Sequence, residues 1–213
     1  MADNAVGASV DNPWFARLWI AIASRETRLM TQLRQQNLAG LSGRVLEVGA
    51  GTGSNFAHYP STVTEVVAVE PEIRLAERAR AAASGAPVPV TVRTETVEQF
   101  DSGDLFDAVV CSLVLCSVAD PSGVLRQLYR QLKPGGQLHY FEHVASSGLR
   151  GRAQQLLDAT VWPKVSGNCH THRSTEEAII GAGFEVIEAR RVMMLPGWVP
   201  VAEASIGRAV KPA

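Results

Sequence analysis

Residues 44–55 read RVLEVGAGTGSN, a short apolar strand that runs straight into three glycines, Gly49, Gly51 and Gly53. Glycines at the end of a strand let the backbone approach a ligand with no Cβ in the way. The turn is expected to open a helix near Gly53 or Ser54, whose unpaired N–H groups would face the crevice at the strand ends. Outward from this stretch, the chain alternates. Strands are predicted at Thr64–Val69, Val88–Arg93, Phe106–Ser112 and Gln137–Val144. Helices are predicted at Glu72–Ala83, at Pro121–Leu132, over about Leu149–Trp162 and at Ser174–Gly181, the last capped by Ser174. Two final strands, Phe184–Val192 and Ser205–Val210, have no helix between them. Five strands separated by helices call for a parallel sheet built from right-handed crossovers. The last pair should close it as neighbours, at least one of them antiparallel. The expected fold is therefore α/β: a doubly wound, mostly parallel seven-stranded sheet ending in an antiparallel hairpin.

Upstream of the turn, the first ten residues are small and polar and are expected to be loosely ordered. From Asn12 to about Leu38 the apolar spacing is helical, with Pro13 suited to a first turn. One helix or a pair should pack on the domain. The closeness of Trp14, Phe15 and Trp19 also suits a substrate lid or a contact with a membrane surface. The expected division is a helical segment or lid over residues 1–40 and a single α/β domain over residues 41–213.

A chain of 213 residues suits one core. Its formal net charge of −1 supplies no global basic field, so nucleic acid is not an expected partner. Cys111, Cys116 and Cys169 are odd in number and lack disulfide-framework spacing, which favours reduced thiols and a cytoplasmic setting. No run approaches the roughly 18 apolar residues that span a bilayer, and no secretory signal is visible.

Glycine turns also serve nicotinamide sites, but those want Gly-x-Gly-x-x-Gly, and Ser54 stands where the third glycine belongs. Glu70, about twenty residues beyond the first glycine, fits the ribose of a nicotinamide cofactor or of another nucleoside cofactor equally well. Further along, His143 follows Glu142 at the end of the fifth strand. It is the candidate base or substrate-orienting group, since histidines titrate near neutrality, although a purely structural histidine fits the sequence as well.

EVGAGTGSN, VVAVEP, FDAVVCSLVLCSVADP, LYRQLKPGGQLHYFEHV and the late AGF together resemble a class I S-adenosylmethionine (SAM)-dependent methyltransferase from residue 44 almost to the end. The resemblance implies SAM as cofactor. Glu47, Gly49, Ala50, Gly51, Gly53 and Asn55 would surround its amino-acid end. Glu70 and Pro71 would meet the ribose and Glu95 with Thr96 the adenine, while Ser112 and Leu113 would run beside the methionine part. VVCSLVLCSV, FEHV and GNCHTHRST are similar to a subgroup containing the mammalian membrane-associated alkyl thiol methyltransferases. Those carry an apolar N-terminal anchor; here an Arg-interrupted helix stands in its place, so stable membrane insertion is not expected.

The implied reaction is methyl transfer to a small, lipophilic heteroatom acceptor, a thiol or a hydroxylated aromatic. A SAM-binding protein without catalysis is the alternative, and an NAD-dependent oxidoreductase a more distant one. Around the acceptor the expected residues are Trp14, Trp19, Cys116, Trp162, His170, His172 and Arg173. Cys116 would line the pocket, and Cys111 reads as a buried apolar side chain. Trp198, Met193 and Met194 could add an apolar wall. No metal is expected, because the spacing in Cys169–Arg173 is too tight for a standard zinc site. The oligomeric state is not legible.

Overall fold

The computed structural model describes residues 10–213. Seven strands form one sheet: β1 (Gly43–Val48), β2 (Val63–Val69), β3 (Val90–Arg93), β4 (Phe106–Ser112), β5 (Leu132–His143), β6 (Glu185–Met193) and β7 (Glu203–Val210). Their order is β3-β2-β1-β4-β5-β7-β6. The first five run parallel, and β7 lies antiparallel between β5 and β6. This is the expected architecture, closing hairpin included.

The central strands are buried on both faces, which is why they read as continuous apolar runs rather than alternating ones. Alternate residues supply opposite cores. Leu46, Val48, Val67, Val69, Val109 and Cys111 meet one set of helices, α4 (Pro121–Gln131) and α7 (Thr175–Gly181), through Leu125, Leu128 and Ile179. Val45, Val66, Ala68, Ala108 and Val110 face the other way, towards α2 (Arg28–Leu38) and α3 (Ile73–Ala83), through Leu38 and Ala79. Strand order reverses between β1 and β4, so a crevice is due beyond Val48 and Ser112.

Several local expectations are corrected. The helix predicted near Gly53 does not form; a run of turns leads to a single 3-10 turn at Phe56–His58. Gly49, Gly51 and Gly53 all hold positive φ, Asn55 is drawn inwards by its side chain, and Pro60 follows at once. The N-terminal helical run, by contrast, is the pair that was one of the two expected forms, breaking at residues 24–27 into α1 (Pro13–Ala23), capped by Asn12, and α2, capped by Thr27. β5 begins five residues early, at Leu132, because Gly135 and Gly136 bend the chain within the strand rather than before it. The long helix after β5 splits into α5 (Gly148–Asp158) and a short α6 (Trp162–Val165). Ser174 stands at the N-cap of α7, but its side chain accepts no backbone N–H. Of the expected loose N-terminus, residues 1–9 lie outside the described residues, while Val10 donates its N–H to Pro71 O at 2.8 Å.

Candidate functional site

The glycine turn is held from below by two buried carboxylates. Glu70, at the end of β2, accepts the Gly51 N–H at 2.8 Å and the Glu72 N–H at 3.0 Å. Burial raises its pKa to about 7 against those two hydrogen bonds. Glu47, in β1, accepts from Tyr59 Oη at 2.6 Å and from Asn55 Nδ2 at 3.0 Å. Burial raises it to about 7 as well. Asn55 is shared: its amide also meets Ser112 Oγ at 3.2 Å, and its carbonyl accepts from Arg34 at 3.0 Å. Arg34 is buried on α2 and pairs with Glu26 at 2.6 Å. The N-terminal helices are thus wired into the floor of the crevice.

They also cover it. Trp19 on α1 lies against the turn, since a Cβ built on Gly51 would sit 2.9 Å from its Nε1. Phe15, on the same helix, packs on Gly167 and leaves no room there for a Cβ. Trp14 faces solvent, 69% exposed, and Trp198 does so still more.

Across the crevice, Glu142 is fully buried at the end of β5. Its carboxylate accepts the N–H groups of Val114 and Leu115 at 2.9 Å and of Cys116 at 3.2 Å. Burial raises its pKa, opposed by those three bonds. This clamp holds Leu113 in a left-handed conformation, φ +59°, that a branched side chain rarely adopts. It also presses Val114 onto Gly49. Glu142 is a positioning residue that the sequence did not single out, and its signal was an acid directly after the aromatic pair Tyr140 and Phe141 at the buried end of the strand.

The loop after β4 is bound in turn to residues 168–173. Asn168 Nδ2 donates to Ser117 O at 2.7 Å, the His170 N–H donates to Cys116 O at 2.7 Å, and Arg173 donates to Leu115 O and Val118 O. Arg173 is therefore engaged in holding the loop. Asp158 accepts the N–H groups of Thr171 and His172, and the His172 ring lies near Gly151, towards α5. Between the two loops, His143 Nδ1 lies 3.5 Å from Cys116 Sγ and 3.6 Å from Cys169 Sγ. The sulfurs are 3.7 Å apart. Their shared hydrogen bond lowers the Cys169 thiol and raises that of Cys116, which burial raises further. Half-buried Trp162 flanks Cys169.

The model of a methyltransferase domain family matches residues 22–189. This chain belongs to the class I SAM-dependent methyltransferases. Among its relatives, the thiol S-methyltransferase TMT1B of Mus musculus is 33% identical over 204 residues, covering 92% of this chain and 82% of that protein. The ubiquinone biosynthesis O-methyltransferase of a Xanthomonas oryzae pv. oryzae strain is 36% identical over 104 residues, 48% of this chain and 43% of that one. In structure, the methyltransferase superposes on the N-methyltransferase NodS of Bradyrhizobium japonicum, solved with S-adenosylhomocysteine, with a TM-score of 0.72. That match has 13% identity and covers 95% of this chain and all of the other, so it speaks for the fold.

In this methyltransferase the residues expected around SAM do converge on one crevice edge: Glu47, Gly49, Ala50, Gly51, Gly53 and Asn55 at the end of β1, Glu70 and Pro71 after β2, Ser112 and Leu113 after β4. Glu95 and Thr96 follow β3, with Glu95 paired to Arg93 at 3.0 Å. The donor set fits the cofactor. Two buried carboxylates beside the turn have the chemistry to meet an ammonium and a pair of hydroxyls, and three glycines in left-handed conformations keep Cβ atoms off alternate positions of the turn. When bound, SAM supplies an activated methyl group. Arg34, Tyr59 and Glu142 join the site as residues not foreseen.

Proposed function

We propose that this methyltransferase transfers the methyl group of SAM to the sulfur of a small, lipophilic thiol. The observation that carries the proposal is the apolar, sulfur-rich setting beside the glycine turn: Trp19 and Val114 pack on Gly51 and Gly49, and half-buried His143 sits against the buried sulfur of Cys116. Transfer from a sulfonium needs little acid–base help, and a thiol with a reference pKa of about 8.5 is partly ionised near neutrality. An in-line approach in a dry pocket supplies the rest. The likeness to a thiol S-methyltransferase over 92% of the chain supports a sulfur acceptor, whereas the likeness to an O-methyltransferase spans 48%.

In this reading Glu47 meets the SAM ammonium, Glu70 and Pro71 its ribose, and Glu95 with Thr96 its adenine. His143 orients or deprotonates the acceptor through Nε2, for which no partner is found among the described residues. The helices within residues 1–40 act as a lid on the domain over 41–213, with Trp19 inside it and Trp14 outside. His170, His172 and Arg173 shape the acceptor mouth from beneath rather than by touching the acceptor. The three free cysteines support a reducing, cytoplasmic setting, and no helix among the described residues is long and apolar enough to cross a membrane. The near-neutral balance of charge supports a small-molecule acceptor over nucleic acid.

The test is turnover of matched thiol, phenol and amine panels with SAM, with product masses read out. Methylated alkyl or aryl thiols in preference to their oxygen analogues are expected. Preferential methylation of phenols would overturn the sulfur reading, and absence of turnover with tight S-adenosylhomocysteine binding would point to a binding protein.

A further inference from the structure

Cys116, His143 and Cys169 come from three segments far apart in the chain, and their ligand atoms form a nearly equilateral triangle with sides of 3.7, 3.5 and 3.6 Å. A tetrahedral zinc with Zn–S of about 2.3 Å and Zn–N of about 2.0 Å places its sulfurs about 3.8 Å apart and each about 3.5 Å from the nitrogen. The triangle is already the size that zinc needs. Plain thiol hydrogen bonding would explain one sulfur–sulfur contact, but it does not call for an imidazole nitrogen equidistant from both sulfurs.

The geometry points to a soft-metal site, for zinc(II) first, in which Cys116, His143 and Cys169 are the protein ligands and the acceptor's sulfur takes the fourth position. Thiolate and imidazole donors select zinc or copper(I) over magnesium or calcium. No fourth Cys, His, Asp or Glu joins the group among the described residues. Three protein ligands with one exchangeable position mark a catalytic rather than a structural site. The ligands are also held in place without the ion. Glu142 fixes the Cys116 N–H, and the His170 N–H and Asn168 side chain pin the Cys169 loop to Cys116 O and Ser117 O.

The site is coupled to the donor turn. Val114, two residues before Cys116, packs on Gly49. α1 lays Trp19 on Gly51 and Phe15 on Gly167, two residues before Cys169, so one helix roofs both.

The role of the ion rests on the thiol reading above. The acceptor RSH binds with loss of its proton to solvent, as the S–H bond breaks and a metal–sulfur bond forms. A sulfur lone pair then attacks the SAM methyl carbon, and the electron pair of the broken carbon–sulfonium bond returns to the sulfur of S-adenosylhomocysteine. The neutral thioether is a weaker ligand than a thiolate and leaves. With the ion bound, His143 serves as a ligand, and acidification of the acceptor passes to the metal.

The experiment is cobalt(II) titration of the full chain, stripped with chelator and kept reduced by a phosphine. Tetrahedral ligand-field bands and a thiolate-to-cobalt charge-transfer band are expected, both displaced by zinc. Cys116→Ser and Cys169→Ser should each weaken the charge-transfer band, while Cys111→Ser should leave it; S-adenosylhomocysteine affinity checks that each variant is folded. Octanethiol added to the cobalt protein should intensify charge transfer as a further sulfur enters. Absent bands, bands that survive both variants, or a spectrum that octanethiol leaves unchanged would overturn the site as proposed. Full thiol turnover by the stripped enzyme, with no gain from zinc, would overturn the metal's role and leave the thiol reading standing. Cobalt and octanethiol binding without any thiol methylation would do the reverse.

Discussion

Single buried carboxylates set much of this site's behaviour. Glu47 has a raised pKa of about 7 because burial outweighs the hydrogen bonds from Tyr59 and Asn55. If it meets the SAM ammonium, it must do so ionised. S-adenosylhomocysteine affinity should therefore rise with pH up to about 7 and level off above it, and Glu47→Gln should bind more weakly and lose most of that dependence. Calorimetric titration across the range checks this, and an unchanged profile in the variant would move the dependence to Glu70. Glu142 acts differently, because its two oxygens satisfy three N–H groups of the loop after β4. Glu142→Gln turns an amide NH2 towards one or more of those donors. The loss should be about 1–3 kcal/mol, the cost of leaving buried partners unpaired. A lowered melting temperature with a weakened SAM site is expected; unchanged values in both would show that the loop holds itself.

At the scale of elements, the glycine turn and the helices above it decide access to SAM. Gly51 has φ +57° and its N–H on Glu70. Gly51→Ala forces a Cβ into a left-handed conformation, at about 1–2 kcal/mol, and towards Trp19. Gly40 has φ +80° with open space around it, so Gly40→Ala incurs the conformational cost without touching the site. Comparable destabilisation by both, with S-adenosylhomocysteine affinity falling roughly tenfold only for Gly51→Ala, is the expected result. Equal affinities would show that the turn does not approach the cofactor. The turn itself was legible because three closely spaced glycines have few other uses. The absence of a longer helix after it was not, since the Asn55 side chain is tied to Glu47 and Ser112, which only folding brings beside it from two strands. Arg34 was equally hidden: on a helical wheel it is one more cation among Arg17, Arg25 and Arg28, and its burial arises from docking. Cys116, His143 and Cys169 lie 27 and 26 residues apart, a spacing that signals nothing until the sheet and its loops fold them together.

For the whole molecule, the sheet was readable from its alternation of strand and helix, while its electrostatics were not, because they depend on which acids the sheet buries. Glu47, Glu70 and Glu142 all have raised pKa values, with burial the leading cause. The folded state then holds protons that the unfolded chain releases. Stability contributed by these groups is full below their ordinary value of 4.5 and is lost as pH rises towards about 7 for Glu47 and Glu70. His139, fully buried on β5 and bonded to Asn37 O, is lowered by that burial, so it opposes them by losing stability as pH falls below its ordinary value of 6.5. Asp107 and Glu203 are lowered by Lys133 and Ser146 in spite of burial, and they lose their contribution only under more acid conditions. Cys169, lowered to about 4 by its hydrogen bond with Cys116, also gains stability as pH rises, yet three acids outweigh that thiol and one imidazole between these limits. The ligand-free protein should accordingly melt highest near pH 5, below the usual optimum, and progressively lower towards pH 7 and just above. Glu70→Gln should flatten that decline. Saturating S-adenosylhomocysteine should offset it as well, since a ligand that binds the ionised folded state gains with pH what the free protein loses. Scanning calorimetry of both states from pH 4.5 to 8 decides the matter. A ligand-free melting temperature that climbs steadily to neutrality would mean that these carboxylates are already ionised in the fold.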